Sequence, residues 1–279
     1  MDIEKCKSII KKTFPFLQIW DFKINNEGMD NLILFVNKNL VFRFPKANNF
    51  FDREVRFLKE IVPNITADVP VMNIYKTDGV EFSVHRFIRG QIYNNLTDEQ
   101  KTKFFDNIST DLAIFFAELH SIKTKQKPEP EHEGRNIKNK DIILSFLKTE
   151  VQKASFEKCL QDAEMFAEKY ANKDLVICHN DLHGNNFTID EATGHLSGVI
   201  DYGDVSVRNY TTDFFMLFED GEKLGMETLK KYEKMTGNKV DILYLRNMQK
   251  YRAYRKIGSC IEKGEDIKQC FIDKINDIF

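Results

Sequence analysis

The segment ICHNDLHGNNF (177–187), followed by GVIDYGD (198–204), constrains this chain more than any other. It sets His179, Asp181 and Asn186 in an H-x-D-x-x-x-x-N array and places Asp201 in a D-Y-G turn behind a short apolar run. Moving a phosphoryl group from a nucleotide needs one carboxylate facing the acceptor hydroxyl. It also needs an amide oxygen and a second carboxylate to hold Mg²⁺ on the phosphates. Asp181 is therefore the candidate base, and Asn186 and Asp201 the candidate metal ligands. Each residue alone reads equally well as turn chemistry; the three at this spacing do not. His179 is expected to orient the loop by hydrogen bonding. A zinc site from Cys178, His179, Asp181 and His183 is a rival. It is disfavoured because consecutive residues rarely converge on one tetrahedral ion and no distant C-x-x-C or H-E-x-x-H supports it.

The rest of the chain predicts an α+β organisation. An amphipathic helix is expected over 2–13, then β-prone runs at 19–24, 31–36 and 39–44, with a hairpin break at Asn37-Lys38-Asn39. Phe51, Val55, Leu58 and Ile61 recur at helical spacing, so a helix over 50–61 follows. Two more strands, 71–76 and 80–88, flank a Thr77-Asp78-Gly79 turn. These make an antiparallel sheet carrying one helix, a lobe spanning 1–90. Gly90 marks the crossing into a larger, mainly helical part, 91–279. There Thr97 and Gln100 form a capping box ahead of one long helix with a Phe104, Ile108, Leu112, Phe115, Leu119 stripe. The polar stretch 123–136 reads as loop, 174–178, 186–190 and 195–201 as short strands bracketing the motifs, and the region from about 209 as mostly helical.

A cation to anchor nucleotide phosphates, itself held by a carboxylate, completes phosphotransfer chemistry. Arg43 on a strand, with Glu54 in the next helix, offers that arrangement, and Lys46 is the alternative anchor. The segment 25–31 carries only Gly28, so a G-x-G-x-x-G phosphate loop is missing. Phe87 and Ile88, near the lobe crossing, could offer backbone groups and an apolar face to a nucleotide base. Asp213, Glu219, Asp220 and Glu222 form an acidic group downstream of Asp201 that would suit a cationic substrate.

Forty-one basic and 43 acidic residues, net −2, supply no field to attract nucleic acid. No apolar run approaches a membrane span. The opening MDIEKCKSIIKK does not read as a signal peptide. Five scattered cysteines with no C-x-x-C point to a reducing, cytoplasmic setting.

With these residues in view, the chain resembles the aminoglycoside phosphotransferase family, and its 2''-phosphotransferase branch in particular. NEGMDN, VFRFPK, FIRG, FFAELHSI, CHNDLHGNNF, GVIDYGD and DFFMLFEDGEKLGME carry the likeness in order. The resemblance implies a two-lobed protein-kinase-like fold that moves the γ-phosphate of ATP or GTP, with Mg²⁺, onto a hydroxyl of an aminoglycoside antibiotic, inactivating it. Asp181 would be the base, Asn186 and Asp201 the metal ligands, Arg43 with Glu54 the phosphate anchor, and Glu219, Asp220 and Glu222 the drug-docking carboxylates. The basic stretch YRAYRKIGSCIEK (251–263) departs from the family, whose drug-binding members present aromatic and acidic groups there. A same-fold kinase of a macrolide, sugar or amino alcohol is the closest alternative. A nucleotide-binding module without turnover is a third.

Overall fold

The computed structural model describes residues 3–26, 31–46, 51–128 and 139–276, and only the backbone of Asp220. The glycine-poor segment 25–31 and the polar stretch 123–136 fall in good part outside the described residues. By compactness the chain divides into two units, 1–124 with 181–205, and 125–180 with 206–279. This division runs across the expected 1–90 and 91–279 lobes, which remain a statement about function.

In the first unit, α1 (Ile3–Thr13) precedes β1 (Phe22–Asn25), β2 (Asn31–Val36) and β3 (Leu40–Pro45), then α2 (Asp52–Ile61), β4 (Asn73–Thr77) and β5 (Val80–Arg86). The five strands pair in the order β1-β2-β3-β5-β4, antiparallel throughout. Both hairpins turn on consecutive left-handed residues, Asn37 and Lys38 in one, Asp78 and Gly79 in the other. That backbone matches the twist of the flanking strands, and glycine takes it without steric cost.

The two-residue period of the strands sorts side chains by face. Phe42, Phe44, Phe82 and Val84 join Leu32, Leu34, Val36 and the Cys6, Ile9, Ile10 stripe of α1 in one core. Phe82 stacks between Phe44 (4.9 Å) and Tyr75 (5.8 Å). The alternate positions of β3 and β5 carry Arg43 opposite Ser83 and Val41 opposite His85.

Beyond β5 come β6 (Gln91–Ile92), α3 (Asp98–Lys103) and α4 (Phe105–Ser121). The capping box is complete: the Gln100 amide donates to Thr97 Oγ1 (3.1 Å) and the Thr97 amide to Gln100 Oε1 (2.9 Å). The expected long helix is in fact two, because the backbone leaves helical geometry at Phe104. There the buried Phe104 ring lies where a side chain on Gly194 would stand. The stripe on α4 is buried as expected.

The second unit holds α5 (Lys140–Phe146), α6 (Glu150–Tyr170) and β7 (Leu175–Cys178). After β8 (Phe187–Ile189) and β9 (Leu196–Val199), which belong to the first unit, come β10 (Ser206–Asn209), α7 (Phe215–Asp220), α8 (Glu222–Thr236), α9 (Ile242–Lys263) and α10 (Gln269–Asn276). β7 pairs with β10, and Ile143, Phe156, Tyr254, Ile257 and Ile275 build a core among α5, α6, α9 and α10. Among the described residues no helix is long and apolar enough to cross a membrane.

In the first unit β8 pairs with both β6 and β9. The Asp68 backbone extends this sheet, its amide donating to Ser197 O (3.0 Å) and its carbonyl accepting from the Val199 amide (2.9 Å). Only glycine fits between them. A Cβ on Gly198 would stand 2.5 Å from both Asp68 O and Ile88 Cγ2. The Asp68 bridge and Gly198 thus fix β9, and β9 delivers the chain to Asp201.

Candidate active site

The loop 181–186 is closed by its own hydrogen bonds. The His183 amide donates to Asp181 O (2.9 Å) and the Asn186 amide to His183 O (2.7 Å). Leu182 is fully buried beneath it. The Asn94 amide donates to Gly184 O (3.0 Å), and Asn94 Nδ2 to Asn185 Oδ1 (3.1 Å), tethering the loop to the Tyr93–Asn95 turn.

Asn186 links the other two site residues. Its Nδ2 donates to Asp181 Oδ2 (3.0 Å) and to Asp181 O (2.8 Å), while its backbone carbonyl accepts from the Ile200 amide (2.8 Å). With both amide protons committed, the Asn186 side-chain oxygen has no protein partner among the described residues. Asp201 follows Ile200 directly and is exposed, with no hydrogen bond or ion pair among the described residues. Its φ of 64° puts a non-glycine residue in the left-handed region, the kind of local strain that functional sites hold. Asp181 is partly open, its side chain 29% exposed. Two oxygen donors without protein partners, beside a partly exposed carboxylate, fit a hard divalent cation.

Arg43 and Glu54 meet as expected. Arg43 Nη1 donates to Glu54 Oε1 at 2.7 Å, and both side chains are nearly buried. The Arg43 guanidinium also lies over the Phe51 ring, 5.4 Å from its centroid. Lys46, the alternative anchor, is exposed and donates to Asn26 O (2.7 Å). Near this pair, burial drives the His85 pKa down to about 4, against the hydrogen bond to Arg86 O and with help from the Arg43 charge. The ring is therefore neutral, and its Nδ1–H donates to Arg86 O (2.8 Å). Phe87 is part-exposed and its amide is committed to Asn39 O (2.8 Å). The backbone of Ile88 has no hydrogen bond among the described residues.

Asp213 requires a correction. Expected to face a substrate, it is fully buried, with its two carboxylate oxygens accepting from the His179 (2.9 Å) and Asn180 (2.7 Å) amides. It holds the backbone directly ahead of Asp181 in the chain, where Asn180 also has a positive φ of 65°. His179 is buried, in keeping with an orienting role. Burial raises the Cys178 pKa well above normal, keeping it a thiol, and its Sγ faces the Val176, Arg208 and Asn209 carbonyls.

Glu219 and Glu222 are already paired, while the Asp220 side chain lies outside the described residues. Glu219 bonds Lys274, and Glu222 takes both terminal nitrogens of Arg246, one at 2.6 Å. Sequence reasoning considered His183 only as a zinc ligand. In the structure its Nε2 lies 3.6 Å from Asp181 Oδ2, and its Nδ1 accepts from the Asn185 amide (3.4 Å). The two-residue spacing in a tight loop was the available signal. Nothing local in the sequence announced the tether through Asn94 or the Asp68 bridge.

Residues 21–254 match the phosphotransferase enzyme family. The chain belongs to that family. Among solved structures, a phosphotransferase described as the GDP complex of wild-type aminoglycoside 2'-phosphotransferase-IIIa is similar at a TM-score of 0.76 and 22% identity, over 99% of this chain and 97% of the other. A GDP and kanamycin complex of an APH(2") enzyme is similar at 0.74 and 21%, over 97% and 95%. Macrolide 2'-phosphotransferase MphH from Brachybacterium faecium is similar at 0.66 and 14%, over 98% and 99%. At these identities the phosphotransferase likenesses establish the fold, α+β and kinase-like, and leave the acceptor open.

Proposed function

We propose that this chain is a Mg²⁺-dependent phosphotransferase that moves the γ-phosphate of ATP or GTP onto a hydroxyl of a small molecule, an aminoglycoside being the first acceptor class to test. The observation that carries this reading is the Asn186 side chain. By donating to Asp181 it orients the carboxylate and leaves its own oxygen unpaired, in line with the unpaired Asp201.

Asp181 acts as the base that accepts the acceptor's hydroxyl proton, and the Asn186 hydrogen bond holds its carboxylate in place. Asn186 and Asp201 would hold the metal, which would supply neutralisation of the phosphate charge. Arg43, fixed by Glu54, supplies a cation for the nucleotide phosphates; arginine forks onto phosphate but is bulkier than lysine. Ile88 offers backbone groups to the base. In this reading residues 1–90 serve the nucleotide and 91–279 the chemistry and the acceptor.

Support for an aminoglycoside comes from fold neighbours described with kanamycin and with gentamicin. One observation favours the second reading, an acceptor of another class. Glu219 and Glu222, the expected docking carboxylates, are already neutralised by Lys274 and Arg246.

The test is coupled nucleotide turnover with Mg²⁺, using ATP and GTP separately, across aminoglycosides, macrolides, sugars and amino alcohols. Acceptor-dependent turnover with an aminoglycoside supports the first reading, and turnover confined to another class supports the second. No nucleotide binding at all would overturn both.

A further inference from the structure

We propose that Arg252 on α9 is a binding residue for a ligand carboxylate.

Three arginines among the described residues lie over a phenylalanine ring. Arg43 covers Phe51 at 5.4 Å, Arg246 covers Phe218 at 5.5 Å, and Arg252 covers Phe215 at 5.4 Å. The first two each hold a carboxylate, Glu54 and Glu222. Arg246 in addition donates to Gln249 Oε1 (3.1 Å). Arg252 is built on the same plan, with its guanidinium on the buried Phe215 and with Nη1 on Met216 Sδ (2.7 Å). Yet among the described residues it meets no oxygen acceptor, and its Nε is buried without a hydrogen-bond partner.

A guanidinium has five N–H donors and cannot shed its proton, so desolvating it without an anion is costly. The described carboxylates of this region are committed elsewhere. Glu219 is held by Lys274, Glu222 by Arg246, and Asp213 by two backbone amides. Once these pairs are formed, the Arg252 charge, backed by an aromatic face, has no counter-ion among the described residues. A planar carboxylate matches the guanidinium fork, as Glu222 does on Arg246. A polycation would meet like charge at the same place.

The experiment uses the full chain and hydroxylated carboxylates, each paired with its neutral counterpart, gluconate with sorbitol first. Binding is measured by calorimetry for wild type, Arg252→Gln and Arg252→Lys, with nucleotide affinity and Tm measured on the same samples. The expected result is at least about a tenfold preference for the carboxylate in wild type. Arg252→Gln should abolish that preference and Arg252→Lys should keep part of it, with Tm and nucleotide affinity unchanged in both. No carboxylate preference in wild type, or a preference that survives Arg252→Gln, overturns the proposal. So does a large loss of Tm in Arg252→Gln, which would mark a structural residue. Intact nucleotide binding without carboxylate preference sinks this proposal alone, whereas wild type that binds no nucleotide sinks the phosphotransfer reading.

Discussion

The 181–201 segment and the α7–α9 face both look like acid-rich sites in sequence, but their side chains are in opposite states. In the first, the Asn186 oxygen and the Asp201 carboxylate have no protein partner among the described residues. In the second, Glu219 and Glu222 are paired with Lys274 and Arg246, and the unpaired group is a cation, Arg252. A carboxylate's partners, more than its presence, determine whether it can take a ligand. The first region leaves oxygen donors open, as the proposed metal site requires, while in the second Glu219 and Glu222 are neutralised and Arg252 is left to meet an anion.

The sharpest way to break this contrast is Asp201→Asn against Glu222→Gln. Asp201→Asn should cut acceptor-dependent turnover about a hundredfold or more and weaken Mg–nucleotide binding. Glu222→Gln should leave Mg–nucleotide binding, measured by calorimetry, unchanged. Equal effects would erase the distinction between the regions.

Two Arg–Glu pairs offer a stability version of the comparison. Glu54→Ala strands the buried Arg43 guanidinium and should cost about 3–5 kcal/mol in urea unfolding. Glu222→Ala, at a side chain 56% exposed, should cost no more than about 1 kcal/mol.

A pH prediction follows for the nucleotide half. His85 has a folded pKa of about 4, below its ordinary 6.5. As pH falls through this window the unfolded chain takes up a proton that the native chain refuses, so stability drops. The contribution approaches about 3 kcal/mol by pH 4. His85→Gln should flatten that part of the stability curve, and an unchanged slope would remove His85 from the account. Gly198→Ala tests the packing of β9. Its Cβ would press on the Asp68 carbonyl, costing about 1–3 kcal/mol in the same unfolding assay.

What the sequence revealed follows a physical division. Features set by neighbours in the chain were legible: the Thr97–Gln100 box, the hairpins at Asn37-Lys38 and Asp78-Gly79, and the loop with Asp181 and Asn186. Arg43 and Glu54 were legible too, from the need for a cation held by a carboxylate to anchor nucleotide phosphates. Features set by distant partners were not. Asp213 looks like any acidic helix residue until its burial against the His179 and Asn180 amides is seen. Glu219 and Glu222 depend on cations from α10 and α9 that no local pattern links to them. The break at Phe104 and the strands β6 and β10 likewise depend on packing and pairing across the chain.

The most direct test of the central claim is Asp181→Asn measured in parallel for acceptor-dependent turnover and for Mg–nucleotide affinity. The account predicts turnover lowered by about 10²–10⁴-fold with affinity within about twofold of wild type, because Asp181 acts on the acceptor's proton alone. Near-normal turnover, or a loss that merely follows weakened nucleotide binding, would contradict it.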